Sequence, residues 1–326
     1  LVSSDLTWER VRTFDVGLDL GFLNNSLTMG FDWFQRDTKD MIAPGITLPN
    51  TVGASAPVVN AGSLRSRGWE LSVNYNHRFG KVNFYVNAIL SDYTTKVTEW
   101  NNPTRSIGSY YSGMNYGDIW GFETDRYFEE SDFVGKNSDG SWIYAEGVAD
   151  QTGLQKGTFV YGPGDVKFKD LDGSGVIDGG KGTAGDHGDL KVIGNTQPRY
   201  QYSFHIGGDW NGFDLDLYFQ GVGKRDMWTR SAFVMPLMRG ADATYSHMES
   251  YNEMIFDENG AITGYVVDQS NKYPCMYPGN EGSGTVSGIS SGNNNFYPQS
   301  RYLVDMSYLR LKNVTFGYTL PQVLTR

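Results

Sequence analysis

The residues best placed to do chemistry lie in one short run, Asp170-Leu171-Asp172-Gly173-Ser174-Gly175-Val176-Ile177-Asp178. A calcium loop takes oxygen ligands from its positions 1, 3, 5, 7 and 9, the seventh through a backbone carbonyl, and places glycine at position 6 for a sharp turn. Counted from Asp170, those ligands are Asp170, Asp172, Ser174, the Val176 carbonyl and Asp178, and the glycine is Gly175. Hard oxygens at alternate positions suit Ca²⁺ or Mg²⁺ and no softer metal. Position 12, a bidentate glutamate in an EF-hand, is Lys181 here, and Asp186 or Asp189 could stand in for it. A solvated turn capped by its own aspartates is the competing reading.

Other chemistry is poorly supported. Gly175 to Gly182 fits the first seven positions of a phosphate-binding loop, but Gly182 stands where serine or threonine must follow the lysine, and Asp178 would repel phosphate. His77, His187, His205 and His247 are scattered, and no G-x-S-x-G or paired-carboxylate motif occurs. No enzyme activity is expected. Trp100, Tyr110, Tyr111, Trp120, Tyr127, Trp142 and Tyr144 could stack on sugar rings, although packing inside their own long segment accounts for them better.

The elements that carry these residues show period two rather than 3.6. Phe14, Val16, Leu18 and Leu20 alternate with Thr13, Asp15, Gly17 and Asp19. After a turn at 22–25 come Leu27, Met29, Phe31 and Trp33, with Thr28, Gly30 and Asp32 between them. The same hairpin pattern recurs around turns at 77–81 and 209–212. Its faces are Leu71, Val73, Phe84 and Val86 in one case, and Phe204, Ile206, Leu215 and Leu217 in the other; Ile89 breaks the alternation. A seventh strand is expected at about 308–320. Between hairpins lie long stretches, at about 37–63, 92–198 and 223–300. Two of these contain turn signals, Asn137 to Gly140 and Asn259-Gly260, each flanked by apolar pairs that predict small hairpins.

Composition narrows the class. Of 326 residues, 14% are aromatic and 41 are glycine, so the chain must bury or embed much ring surface and is not disordered. A net charge of −10 argues against a nucleic-acid partner. One cysteine, Cys275, excludes an internal disulfide. Strands of about ten residues with one apolar face, short turns at one end and long loops at the other are the layout of an outer-membrane barrel. Phe22, Phe79, Trp210 and Phe213 would form an aromatic girdle at the short-turn end, and Trp33 and Phe34 would form another near the long loops. Asp15, Asp19, Asp32, Glu70, Asp214 and Asp216 would face the lumen. The fold expected is all-β, part of a transmembrane antiparallel β-barrel. Seven strands cannot close such a barrel, because bacterial single-chain barrels close with an even number, so more strands are expected on both sides. A soluble β-sandwich that binds glycans, or a passive or adhesive barrel, would share much of this pattern.

Several motifs, in order along nearly the whole chain, resemble the SusC/RagA-like family of TonB-dependent outer-membrane transporters. They are Trp8-Glu9, Thr13 to Asp19, Asp32-Trp33-Phe34, Thr38 to Ile42, Asn60-Ala61-Gly62, Gly68 to Leu71, Gly164 to Asp170 with Asp172-Gly173, and above all Tyr308 to Thr315 with Gly317-Tyr318 and Leu320-Pro321. The resemblance implies a plugged barrel of about 22 strands. It also implies active import of an oligosaccharide or peptide, energy delivered through TonB, and a SusD-like surface lipoprotein over the mouth. In such proteins the plug precedes the barrel, so residues 1–326 would be barrel wall and extracellular loops in contact with membrane lipid.

Overall fold

The computed structural model describes residues 6–44, 53, 58–157, 159–229, 231, 250–275 and 294–321. It separates into two compact units. The first comprises 1–117, 195–226 and 305–326, and the second comprises 118–194 and 227–304.

The first unit is a seven-stranded antiparallel meander. Its strands are β1 (Arg10–Phe22), β2 (Leu27–Pro44), β3 (Val58–Phe79), β4 (Val82–Glu99), β5 (Arg199–Trp210), β6 (Phe213–Lys224) and β7 (Tyr308–Tyr318), and each pairs with its neighbours in chain order. Asn211 and Gly212, both at positive φ, make the two-residue β5–β6 turn. That backbone matches the twist of paired strands and is the reason asparagine and glycine stand there.

Directly paired residues share a face, so register sorts the side chains. Val16 pairs with Trp33, Trp33 with Trp69, Leu71 with Leu90, Val86 with Ile206, Ile206 with Leu217 and Leu217 with Val314. Every residue expected on the lipid face falls on this one side. Phe14, Val16 and Leu18 are more than half exposed, as is Phe316 at 69%, which suits a face solvated by hydrocarbon rather than by a second sheet. That arrangement replaces the sandwich reading, which needs two packed sheets. Ile89 pairs with Ser72 and Ser203, so it stands on the polar side despite its apolar side chain.

Three expectations are corrected. The stretch 37–63 is not simply a loop. Strand pairing continues to Pro44 in β2 and resumes at Val58 in β3, while residues 45–52 and 54–57 lie outside the described residues. The strands run from 11 to 22 residues instead of about ten. Alternation reports only the part of a strand with lipid on one side. Beyond it the alternation stops, with apolar residues running together at Met41-Ile42 and Val58-Val59, yet backbone pairing persists. Finally, Phe34 does not join an outer girdle, because it pairs with Asp15 and Gly68 on the polar side.

The second unit has its own core. Phe122, Tyr127, Phe128, Tyr161, Phe168, Ile177, Phe296 and Tyr302 are nearly or fully buried there. The two small hairpins form as expected, Phe133–Lys136 with Trp142–Tyr144 and Glu253–Phe256 with Ile262–Val266. Gln151, fully buried, donates to the Val166 carbonyl at 2.9 Å and accepts from the Phe168 amide at 2.9 Å. It thus pairs backbone groups that would otherwise be buried without partners. Stretches 92–198 and 223–300 therefore carry a folded body within them.

Candidate functional site

The polar side of the wall forms a concavity of about 640 Å³. Asp15 of β1, Asp32 and Arg36 of β2, Glu70 of β3, Tyr93 of β4 and Gln201 of β5 line it. Asp32 and Glu70 are direct cross-strand partners, so two carboxylates meet on one rung. Gly17 faces Asp32 across β1–β2, and a Cβ there would collide with the Asp32 carboxylate, so glycine makes the space that the acid occupies. Nearer the short turns, Tyr85 donates to Asp216 at 2.8 Å, and His205 Nδ1 lies 3.4 Å from the other oxygen of Asp216. His205 stacks on Tyr218 at 4.2 Å. Asp216 is therefore held by its neighbours, whereas the rung of Asp32 and Glu70 opens into the concavity.

The aspartate loop of the second unit takes a different shape from the ligand set read in the sequence. Asp170 accepts from the amides of Gly173 at 2.7 Å, Ser174 at 3.2 Å and Gly175 at 2.8 Å. Asp172 accepts from the Ser174 amide at 2.9 Å, and that bond holds its carboxyl below the ordinary pKa. The Ser174 hydroxyl donates to the Val176 carbonyl at 2.9 Å, and Asp178 accepts from the Gly180 amide at 2.7 Å. These three oxygen sources turn to one another and to the chain, not to a common centre. Buried Asp189, one of the two residues offered for the closing position, accepts from the amides of Leu171 at 2.6 Å and Asp178 at 2.9 Å, and its carboxylate joins those of Asp170 and Asp172 within 4.8 Å. Asp186 pairs instead with Lys181 at 3.1 Å. Three carboxylate oxygens, from Asp170, Asp172 and Asp189, therefore stand together in a loop whose shape is held by its own hydrogen bonds.

Sequence reading missed the charged knots of this unit. Asp132, 3% exposed, accepts two hydrogen bonds from Arg126 at 2.7 Å each, one from Lys167 at 3.0 Å and one from the Glu129 amide at 2.8 Å. Burial penalises its charge, but these donors outweigh burial and its pKa is lowered. Glu123 similarly joins Lys169 and Lys191. Apart from the local Glu129–Asp132 capping pair, these partners are 6 to 68 positions apart in sequence, so no local motif marks them. The loop aromatics pack against each other: Tyr127, Trp142 and Tyr144 within or against the core, Trp120 against His187 at 5.3 Å, and Trp100 and Tyr110 edge to face at 5.1 Å in the first unit. Burial raises the Tyr127 pKa to about 12.

A polar concave wall backed by an apolar band is the geometry against which known proteins can be compared. The family model described as TonB dependent receptor-like, beta-barrel, matches residues 2–267. This chain belongs to that family. Its barrels lie in the outer membrane, so the apolar face meets lipid. TonB-dependent receptor P3 of Formosa agariphila is 24% identical over 353 residues, covering 98% of this chain and 28% of the relative. TonB-dependent receptor SusC of Bacteroides thetaiotaomicron is 27% identical over 195 residues, covering 55% of this chain and 16% of the relative. Among solved structures, the RagAB peptide transporter superposes with a TM-score of 0.57 at 17% identity, over 98% of this chain and 30% of that one. The RagAB peptide importer in its closed-closed state gives 0.58 at 18% identity, over 99% and 30%. The chain thus spans less than a third of the length of these relatives. Their names are those of receptors and transporters, not of enzymes.

Proposed function

We propose that this chain supplies wall and extracellular loops to an outer-membrane importer of a large polar nutrient, an oligosaccharide or a peptide. In this reading TonB delivers the energy and a SusD-like surface lipoprotein covers the mouth. The observation that carries the reading is the asymmetry of the chain. Turns at 22–25, 77–81 and 209–212 are minimal, whereas the opposite strand ends carry insertions with a folded core of their own. Insertions of that size serve binding and recognition more than closure. The concavity adds a limit on cargo. Asp15, Asp32 and Glu70 face it together with Arg36, which favours neutral or cationic cargo over a polyanion.

The test is made on the full-length protein in its own outer membrane. Crosslinks from a surface lipoprotein are expected in 118–194 and 227–304, and none in the three short turns. Deleting the transporter is expected to abolish growth on at least one complex glycan or peptide, and so is deleting TonB. Normal growth on every such nutrient without the transporter would overturn import. Uptake that persists without TonB would favour the passive barrel.

A further inference from the structure

The register of β1–β4 stacks the outward face in rungs. One rung carries Val16, Trp33 and Trp69. The next rung toward the long-insertion ends carries Phe14, Gln35, Arg67 and Thr94, and the one after carries Arg12, Asp37, Arg65 and Lys96. Arg10 pairs with Lys39 beyond that. Successive rungs are about 7 Å apart. Directly above the apolar band and its tryptophans, the lipid side of the wall therefore turns rich in cations: Arg10, Arg12, Lys39, Arg65, Arg67 and Lys96 stand with Asp37 and Asp40, while Asp92 pairs with Trp69 and Glu99 with Ser63 on the same side.

Asp92 is paired with Arg199, Glu99 accepts from the Ser63 hydroxyl at 3.2 Å, and the other two carboxylates are engaged by cations of the patch. Arg65 pairs with Asp37 and Arg10 with Asp40, each at 2.5 Å, while Gln35 donates to Asp37 at 2.8 Å and accepts from Arg67 at 2.8 Å. Arg12, Lys39 and Lys96 are exposed and make no ion pair among the described residues. On a chain with a net charge of −10, Arg12, Lys39, Arg67 and Lys96 thus outnumber Glu99, the carboxylate of this surface that makes no ion pair among the described residues. The strand ends involved are those opposite the short turns, so the patch lies at the extracellular boundary of the membrane. Arginine suits phosphate through its planar fork, and lysine serves as a mobile point charge.

We propose that this patch binds the phosphate groups of the outer-leaflet glycolipid, whose acyl chains would lie on the adjoining apolar rungs. Two features commit the surface to lipid rather than to a soluble anion: its continuity with the hydrocarbon-facing band and its place just beyond the interfacial tryptophans. The inference rests on membrane location alone and stands whether or not the import reading holds.

The test uses the full-length protein, delipidated in detergent and offered purified phosphorylated lipid A, its dephosphorylated form, or millimolar inorganic phosphate. Bound lipid is quantified by mass spectrometry. The wild type is expected to retain phosphorylated lipid A, to bind the dephosphorylated form far more weakly, and to resist displacement by free phosphate. The variant Arg12→Gln/Lys39→Gln/Arg67→Gln/Lys96→Gln is expected to lose binding on the order of a hundredfold. Arg78→Gln/Lys81→Gln, at the short-turn ends, should retain it. Equal retention by the fourfold variant, or equal binding of dephosphorylated lipid A by the wild type, overturns the proposal. Displacement by inorganic phosphate would reduce the patch to an anion site and also overturns it. The two wild-type comparisons decide the matter even if the fourfold variant fails to fold, which is checked by heat-modifiable gel mobility.

Discussion

Replacing Leu217 with arginine should lower the yield of folded full-length barrel in membranes sharply, at a cost of about 2–4 kcal/mol. Leu217 sits in mid-sheet, paired with Ile206 on one side and Val314 on the other, so the guanidinium would enter hydrocarbon away from either interface. Gln220→Arg, three residues along the same strand, should cost well under ~1 kcal/mol. Gln220 pairs with Ser203 on the polar side and is exposed there. Heat-modifiable mobility on gels, quantified in outer-membrane fractions, reads both. Equal yields from the two variants would reject the assignment of faces. Asp216 makes a poorer control than Gln220, because its bonds to Tyr85 and His205 would be lost as well.

The second large effect is expected at Asp132. Its carboxylate ties together the segments Thr124–Tyr127, Glu130–Asp132 and Val166–Phe168 of the second unit. Asp132→Ala leaves Arg126 and Lys167 without their shared anion. Such a loss costs about 3–5 kcal/mol in a dry interior. Arg126 is one-third exposed, so solvent screens part of the effect and the low end, about 3 kcal/mol, applies. The pH dependence follows from the lowered pKa. A carboxyl with a depressed folded-state pKa contributes its full stability above the ordinary value of about 3.9 and loses it as pH falls through the depressed value. Hydrogen exchange of this unit in the full-length protein, corrected for intrinsic rate, should therefore show wild-type protection that declines in strong acid. Asp132→Asn should be weakly protected at neutral pH and change little on acidification. Protection in the variant equal to wild type at neutral pH would remove Asp132 from the account.

Much of the wall was legible because lipid imposes a strict rule on alternate residues. Phe14, Val16, Leu71, Val86, Leu215 and their partners could be assigned to one face from parity alone, and the tight turns announced themselves through Asn24-Asn25, Gly80 and Asn211-Gly212. The rule fails where its cause stops. Residues 37–44 and 58–63 pair as strands where apolar residues run together without alternation beside Pro44 and Gly62, so no single apolar face marks them. Phe34 looked like a girdle residue because its ring type was weighed above its parity. The aspartate loop was legible as a cluster of oxygens, and Asp189 was one of two residues offered to complete it. Asp178 satisfied the calcium-loop spacing, yet the fold turns it to the Gly180 amide and brings in Asp189, because two loop amides need a buried acceptor. The basic rungs outside β1–β4 were invisible from sequence, since they exist only through pairing across four strands.

The alternation of β4 offers the most direct test of the wall. Single cysteines placed at positions 84 to 90 of the full-length protein, labelled with a fluorophore and reconstituted into bilayers with spin-labelled acyl chains, report lipid contact residue by residue. Native Cys275 is buried, which limits its background labelling. Strong quenching is expected at Phe84, Val86, Ala88 and Leu90, and weak quenching at Tyr85, Asn87 and Ile89. Ile89 is the deciding position: hydropathy alone would send it to lipid, whereas its pairing with Ser72 and Ser203 puts it on the polar side. Quenching at Ile89 as strong as at Ala88 and Leu90 would contradict the register on which the wall, its concavity and its basic rim all depend.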